Sequence, residues 1–211
     1  MLRLTEIFLS LQGESSTTGL PTVFVRLTGC PLRCRYCDTA YAFSGGQLES
    51  VSDIVEDVRS HKVGRVTVTG GEPLAQPECL ALLKELCDSG FSVSLETSGA
   101  LSIAEIDPRV MIVMDLKTPS SEECHRNLYT NLAHLTLKDE IKFVISDDAD
   151  YAWTKEAIRE YKLAETAHLL VSPNHDVLHP RELAEWVLAD RLPVRLQIQL
   201  HKYLWGDVPG R

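Results

Sequence analysis

The stretch TVFVRLTGCPLRCRYCDTAY, residues 22–41, decides how the rest of the chain is read. Residues 22–29 are rich in β-branched and aromatic side chains and end on a glycine, as a buried strand does. Directly after it, Cys30, Cys34 and Cys37 fall within eight positions, four and then three apart. A strand that delivers a cluster of reactive side chains at its C-terminal end belongs to a parallel α/β sheet, where chemistry gathers at the carboxyl ends of the strands.

Working outward, the same punctuation recurs. RVTVTG (65–70) is a strand that runs into GGEP (70–73). FSVSLETSG (91–99), VMIVMDLK (110–117), EIKFVIS (140–146), AHLLVSP (167–173) and PVRLQIQL (193–200) read as further strands. The polar ends ETSG (96–99), DLK (115–117) and SPNH (172–175) point to one shared site. VSDIVEDVRSH (51–61) reads as a helix opened by Ser50 and Asp53 in capping-box spacing, with Asp in place of the usual Glu. PECLALLKELCDSG (77–90) is an amphipathic helix with Gly90 as its stop. Helices are also expected over 151–162, 180–190 and 121–137. MLRLTEIFLSLQGES (1–15) alternates like a strand and lacks the apolar block of a signal peptide. Repeated β–α units imply a parallel sheet with helical crossovers in one domain over residues 1–211.

Composition narrows the class. The 211 residues carry 21 Lys and Arg against 30 Asp and Glu, a net charge of −9. Such a surface argues against nucleic acid or an anionic membrane as partner. No apolar run reaches the roughly 18 residues of a membrane span. A cytoplasmic setting is expected, where clustered cysteines signal metal or redox chemistry rather than disulfides.

Three ligand sets fit the cysteines. Structural zinc asks for four closed ligands, commonly in paired Cys-x-x-Cys knuckles, and only Cys34 and Cys37 form such a pair. Cys79 and Cys87 lie on the apolar side of a helix, as packing residues do. Cys124 lies in a polar loop and takes no role. A redox dithiol at Cys34 and Cys37 leaves Cys30 without a function. An iron–sulfur cube on three thiolates leaves one iron open for a small molecule. The Cys-x-x-x-Cys-x-x-Cys spacing, with Tyr36 before the last cysteine, resembles the radical S-adenosylmethionine superfamily, and TGGEPL (69–74) resembles its glycine-rich strand end.

That resemblance implies an open or abbreviated parallel (β/α) barrel. It also implies a 4Fe–4S cluster on Cys30, Cys34 and Cys37 whose open iron binds S-adenosylmethionine, cleaved to a radical that abstracts a substrate hydrogen. LQGE (11–14), VRLTGC (25–30), CDT (37–39), TGGEP (69–73) and QLHK (199–202) narrow the resemblance to the 7-carboxy-7-deazaguanine synthase family, from residue 4 to the C-terminus. The implied reaction converts 6-carboxy-5,6,7,8-tetrahydropterin to 7-carboxy-7-deazaguanine with loss of ammonia, in queuosine and deazapurine biosynthesis. The resemblance puts the substrate at Leu11, Gln12, Gly13, Glu14, Arg26, Thr69, His201 and Lys202. It puts S-adenosylmethionine at Gly71, Glu72, Asp115, Leu116, Lys117, Ser172, Pro173, Asn174 and His175, and Mg2+ at Thr39. No side chain is singled out as catalytic.

The chemistry of the substrate residues agrees. Gln12 offers a donor and an acceptor, and Glu14 an acceptor for ring N–H groups. Arg26 suits a bidentate carboxylate pair. The family's Ser-Pro-Lys strand end stands here as Asp115-Leu116-Lys117, and its Gln-Pro-Met-Asp-like stretch as Ser172-Pro173-Asn174-His175. A reducing partner such as flavodoxin or ferredoxin and a homodimer are implied as well. Two other classes share the cysteine motif: a glycyl-radical activating enzyme, which the LQGE segment and the Asp-Thr after Cys37 disfavour, and a non-enzymatic electron carrier, which has no use for TGGEP.

Overall fold

Fourteen regular elements are found in the computed structural model, which describes every residue except Asp176, Asp207, Pro209 and Arg211. The strands are β1 (Leu2–Leu11), β2 (Pro21–Leu27), β3 (Gln47–Glu49), β4 (Arg65–Gly70), β5 (Ser92–Thr97), β6 (Met111–Asp115), β7 (Glu140–Ile145), β8 (His168–Pro173) and β9 (Arg195–Leu196). The helices are α1 (Val51–Ser60), α2 (Cys79–Asp88), α3 (Asp148–Glu160), α4 (Pro180–Asp190) and α5 (Leu200–Trp205). The strands form one sheet in the order β3-β1-β2-β4-β5-β6-β7-β8-β9. β1 runs antiparallel to β2 and β3, and every pairing from β2–β4 to β8–β9 is parallel. Among the described residues β3 and β9 are not paired with each other, so the parallel barrel is open and abbreviated, as expected.

Side chains alternate across a strand, and this sheet sorts them by chemistry. On one face Val23, Val25, Leu27, Val66, Val68, Val93 and Leu95 pack with Ile54, Val55 and Val58 of α1 and Leu82, Leu83 and Leu86 of α2. Further along, Ile112, Met114, Ile141, Phe143, Ile145, Leu169 and Val171 pack with Tyr151 and Ile158 of α3 and Leu183 of α4. Each fully buried side chain of this size contributes about 1.5–3 kcal/mol. The intervening positions carry Arg26, Thr69, Glu96, Asp115 and Lys142, and register sets Arg26 opposite Thr69 and Asp115 opposite Lys142. A parallel sheet covered on both faces reads as continuous hydrophobic runs; this one is apolar toward its helices and polar on its concave side.

The helix signals hold. Ser50 Oγ accepts the Asp53 N–H at 3.1 Å and donates to Asp53 Oδ2 at 2.6 Å. Past the end of α2, Gly90 takes φ +86°, a conformation that costs glycine nothing. Two expectations need correction. Residues 121–137 form no α-helix but lie among short 3-10 turns at Pro119–Ser121, Cys124–Arg126 and Tyr129–His134. The cause is a pair of buried asparagines that compete for backbone groups. Asn127 takes both the N–H and the carbonyl of Lys117 at 2.9 Å each, and Asn131 donates to the Gly99 and Leu101 carbonyls. Residues 193–200 pair as a strand only at Arg195–Leu196. Beyond them Gln197 Oε1 accepts from Ser15 N–H, and Leu200 N–H donates to the Gly13 carbonyl, so the chain leaves the sheet to dock on the 12–15 loop.

Candidate active site

A cavity of about 400 Å³ opens at the C-terminal ends of the parallel strands. The loop after β2 brings Cys30, Cys34 and Cys37 to it, all half-buried. The loop is held by its own backbone: Cys37 N–H donates to the Cys34 carbonyl, and Gly29 N–H to that of Ala42. The Arg33 guanidinium donates to the Cys30 and Leu32 carbonyls at 2.7 Å and lies 4.3 Å from the Phe43 ring centre. The strand end of β4 presses against it. A Cβ on Gly71 would stand 2.0 Å from the Gly29 carbonyl oxygen, and that oxygen accepts the Glu72 N–H. Glycine at position 71 therefore lets two loops meet.

The donor set fits an iron–sulfur cube. Burial pushes the Cys34 thiol up to about 11 and raises Cys30 and Cys37 as well, with Lys117 acting in the opposite direction. Three thiolates here need a strong cationic partner, which a metal cluster provides. Among the described residues no three His, Cys, Asp or Glu side chains are grouped to hold a single metal ion. A cube takes its three thiolates on three separate irons, a wider spread. Asp115 lines the cavity, and its buried Oδ1 has no hydrogen-bond partner among the described residues.

Opposite charges interlock along the concave face. Lys117 Nζ lies 3.1 Å and Lys142 Nζ 3.5 Å from Asp115 Oδ2, and Lys142 also pairs with Glu14 Oε2. Glu14 Oε1 accepts from Gln199 Nε2 at 2.9 Å. Glu96 accepts from Gln12 Nε2 at 3.2 Å and from Thr69 Oγ1 at 2.9 Å. Burial holds the Glu96 carboxyl above its ordinary value, and the Glu14 charge adds to this. At the other end Arg26 Nε donates to Glu6 Oε1 at 2.7 Å, an oxygen that also accepts from the Tyr41 hydroxyl at 2.8 Å. The guanidinium carbon stands 5.8 Å from the ring centres of both Phe8 and Tyr41.

The eight positions expected at the substrate, Leu11, Gln12, Gly13, Glu14, Arg26, Thr69, His201 and Lys202, all line this one cavity, although His201 and Lys202 are remote in sequence from the rest. A Cβ on Gly13 would fall 2.0 Å from His201 Nδ1, which explains how closely α5 seats on the LQGE loop. Burial lowers the His201 imidazole below its ordinary value. Gln12 has spent its amide on protein, donating to Thr67 and Glu96 and accepting from Glu14 N–H. The Thr39 hydroxyl donates to Asp38 Oδ1 at 2.8 Å, and both line the cavity.

The expected cofactor positions divide. Gly71, Asp115, Lys117 and Asn174 line the cavity. Glu72 is fully buried behind it, accepting from Leu74 N–H, the Thr97 hydroxyl and Ser98, so it braces the β5 strand end. Leu116 packs in the core beneath α3, and Ser172 is buried. Pro173 and His175 line a separate apolar cavity with Leu178, Ile198 and Tyr203. Sequence reasoning passed over Lys142 and Glu6 as site residues. For Lys142 the signal was available: a lysine in the middle of EIKFVIS, an otherwise apolar strand.

A thiol-bearing loop, a glycine strand end and a polar concave face, all at one end of an open parallel barrel, define a class. Residues 24–187 match the model of the Radical SAM superfamily, and the chain belongs to that superfamily. Relatives resolve it further. The chain is 45% identical to the 7-carboxy-7-deazaguanine synthase of Chlorobaculum tepidum, over 97% of this chain and 94% of that one. It is 42% identical to that of Koribacter versatilis, over 97% of each. It therefore belongs to the 7-carboxy-7-deazaguanine synthase family. The crystal structure of QueE from Escherichia coli superposes with a TM-score of 0.77 at 25% identity, covering 95% of this chain and 94% of that one. Archaeal TYW1 shares the fold at a TM-score of 0.60 and 14% identity, over 82% and 72%.

Proposed function

We propose that this chain is a carbon–nitrogen lyase that converts 6-carboxy-5,6,7,8-tetrahydropterin to 7-carboxy-7-deazaguanine with loss of ammonia, in queuosine and deazapurine biosynthesis. The observation that carries the reading is the meeting, in one cavity, of the three-cysteine loop with Arg26 and Glu14 in a chain related over almost its full length to synthases of that name. When bound on Cys30, Cys34 and Cys37, the 4Fe–4S cluster supplies the electron that cleaves the sulfonium of S-adenosylmethionine. Gly71, Asp115, Lys117 and Asn174 are the wall of this chain that faces that cofactor.

The remaining side chains bind and orient the substrate. Arg26 has five N–H donors, of which Glu6 and the Gly70 carbonyl take two. The others serve a carboxylate. Glu14 accepts ring N–H groups. His201 and Lys202, on α5, close the cavity from the C-terminal side. Thr39, with Asp38 beside it, provides oxygen for Mg2+, which keeps waters or shares a ligand from the substrate rather than requiring an all-protein cage. A flavodoxin or ferredoxin as reductant, a homodimer and a cytoplasmic setting complete the reading, supported by the family. No described helix is long and apolar enough to cross a membrane.

Anaerobic incubation with S-adenosylmethionine, a reductant and the carboxypterin, followed by mass, tests the reading. The deazaguanine product is expected. Cleavage of S-adenosylmethionine with the pterin left intact would overturn it.

A further inference from the structure

The polar face of the sheet holds one cation that the proposed binding roles leave unused. Lys142 sits in mid-strand on β7, with its neighbours Ile141 and Phe143 in the core and its own side chain turned to the cavity. It is 14% exposed, and Glu14, its partner from the loop after β1, is 12% exposed. Taking two charges this far out of water costs more than an apolar pair would, so such a bridge is weak evidence for stability. Its place on the wall of the cavity asks for another explanation.

The geometry supplies one. Glu14 stands on the loop after β1, outside the sheet, and its carboxylate is pinned from two sides. Lys142 holds Oε2 from the sheet, and Gln199 holds Oε1 from the start of α5. Each carboxylate oxygen offers two lone pairs, so one on each remains for a ligand. Asp115, directly across from Lys142 in the register, holds the ammonium in turn, and the same Asp115 oxygen takes Lys117. Glu96 faces Glu14 from β5, and without a cation between them the two carboxylates would repel.

We infer that Lys142 is a positioning residue for substrate recognition: it fixes the Glu14 side chain, aimed into the cavity, so that Glu14 selects a ring edge presenting adjacent N–H donors. The inference rests on the reading of the cavity as a carboxypterin site. Lys142 acts through Glu14 and makes no contact with substrate itself.

The role predicts a change in selectivity. 6-Carboxypterin and 6-carboxylumazine share the carboxylate and the bicyclic ring, but the lumazine has a carbonyl where the pterin has its 2-amino group. Both are unreactive, so equilibrium binding to the cluster-loaded protein is read by ligand fluorescence without turnover. The intact protein should prefer the pterin by about tenfold to hundredfold, the range for a hydrogen bond to a charged group. Glu14→Gln should reduce that ratio to within about threefold of unity, and Lys142→Met should reduce it to the same level. In the Glu14→Gln background, Lys142→Met should leave the ratio where it was, because the two residues act as a unit.

A purely structural lysine would weaken both ligands alike. An unchanged ratio in a folded Lys142→Met protein therefore overturns the inference while leaving the carboxypterin reading intact. Intact protein that binds neither ligand overturns that reading and the inference with it. Should Lys142→Met not fold, Lys142→Gln, which keeps a donor without the charge, carries the same expectation. If neither variant folds, Lys142 serves the fold and the assignment falls.

Discussion

Along β4, β5, β6 and β7 one residue faces the helices and the next faces the cavity, and the two sets obey different rules. Toward the helices stand Val66, Val68, Leu95, Met114 and Phe143, each at most 1% exposed and held by packing alone. Toward the cavity stand Thr69, Glu96, Asp115 and Lys142, withdrawn from water to a lesser degree and held by hydrogen bonds and charge. Burial alone is thus not what separates core from site here. What separates them is the partner: carbon against carbon needs only shape, while a buried charge is stable only with an aimed counter-charge.

The comparison can be broken at either face, and the largest effect falls on the loop that caps the polar side. Cys34→Ala should eliminate turnover and the brown cluster chromophore together, while far-UV circular dichroism stays that of the intact protein. A Cys34→Ala protein that keeps the chromophore and cleaves S-adenosylmethionine would show that the three-thiol loop does not hold the cluster. Next comes the apolar face. Phe143 is fully buried and meets Trp153 of α3 edge-on, ring centres 6.4 Å apart. Phe143→Ala should cost about 3–5 kcal/mol in urea unfolding, with turnover per folded, cluster-loaded molecule within about twofold. A stable Phe143→Ala protein that is inactive would erase the division between the faces.

Arg26→Lys tests the reverse, function without stability. It keeps the charge but loses the planar fork that grips a carboxylate. Loss of about 1.5–3 kcal/mol is expected, read as tenfold to hundredfold weaker binding of 6-carboxypterin. The Glu6–Arg26 pair is only partly buried, so the melting temperature should hardly move. Unchanged affinity would mean that Glu6, rather than the substrate, is the partner Arg26 serves.

The apolar face was legible from the sequence because it depends on periodicity. The strands at 65–70, 91–99 and 140–146 and the helices at 51–61 and 77–90 appear within two or three residues of their expected bounds. The cluster loop was legible because three cysteines at fixed spacing admit few chemistries. The polar face was legible only in part. Glu14 and Arg26 sit in distinctive short stretches, but Lys142 reads as one odd residue in an apolar strand, and its meaning depends on Asp115 lying directly across the register. Glu6 escaped because its partner is 20 residues away on a neighbouring strand. The two misread segments failed for one reason. Asn127, Asn131 and Gln197 each satisfy backbone groups remote in sequence, and local pattern carries no record of such partners.

The smallest expected effect is a slope, and Glu96→Gln isolates it. Burial, followed by the Glu14 charge, holds the Glu96 carboxyl above its ordinary value, against the pull of Lys142, Thr69 and Arg26. The native chain therefore holds this proton more tightly than the unfolded chain, whose Glu titrates near 4.3. Stability falls with rising pH wherever the native state binds more protons. The contribution of Glu96 is fully present below about pH 4 and is lost as pH rises through its native value. Gln12 and Thr69 donate to different Glu96 oxygens, so glutamine keeps a carbonyl acceptor for only one of them, a loss that offsets stability equally at every pH, and it has no proton to lose. The stability of Glu96→Gln relative to the intact protein should therefore rise as pH increases from about 4, measured by urea unfolding of both proteins, cluster-loaded and anaerobic, at matched pH steps. Titrating groups that do not interact with Glu96 cancel in the difference, leaving Glu96 and the groups coupled to it, Glu14 first among them. A flat difference would mean that the polar face solvates Glu96 as fully as water does. A falling difference would mean that the cations of that face, Lys142 and Arg26, outweigh its burial and hold the carboxylate charged.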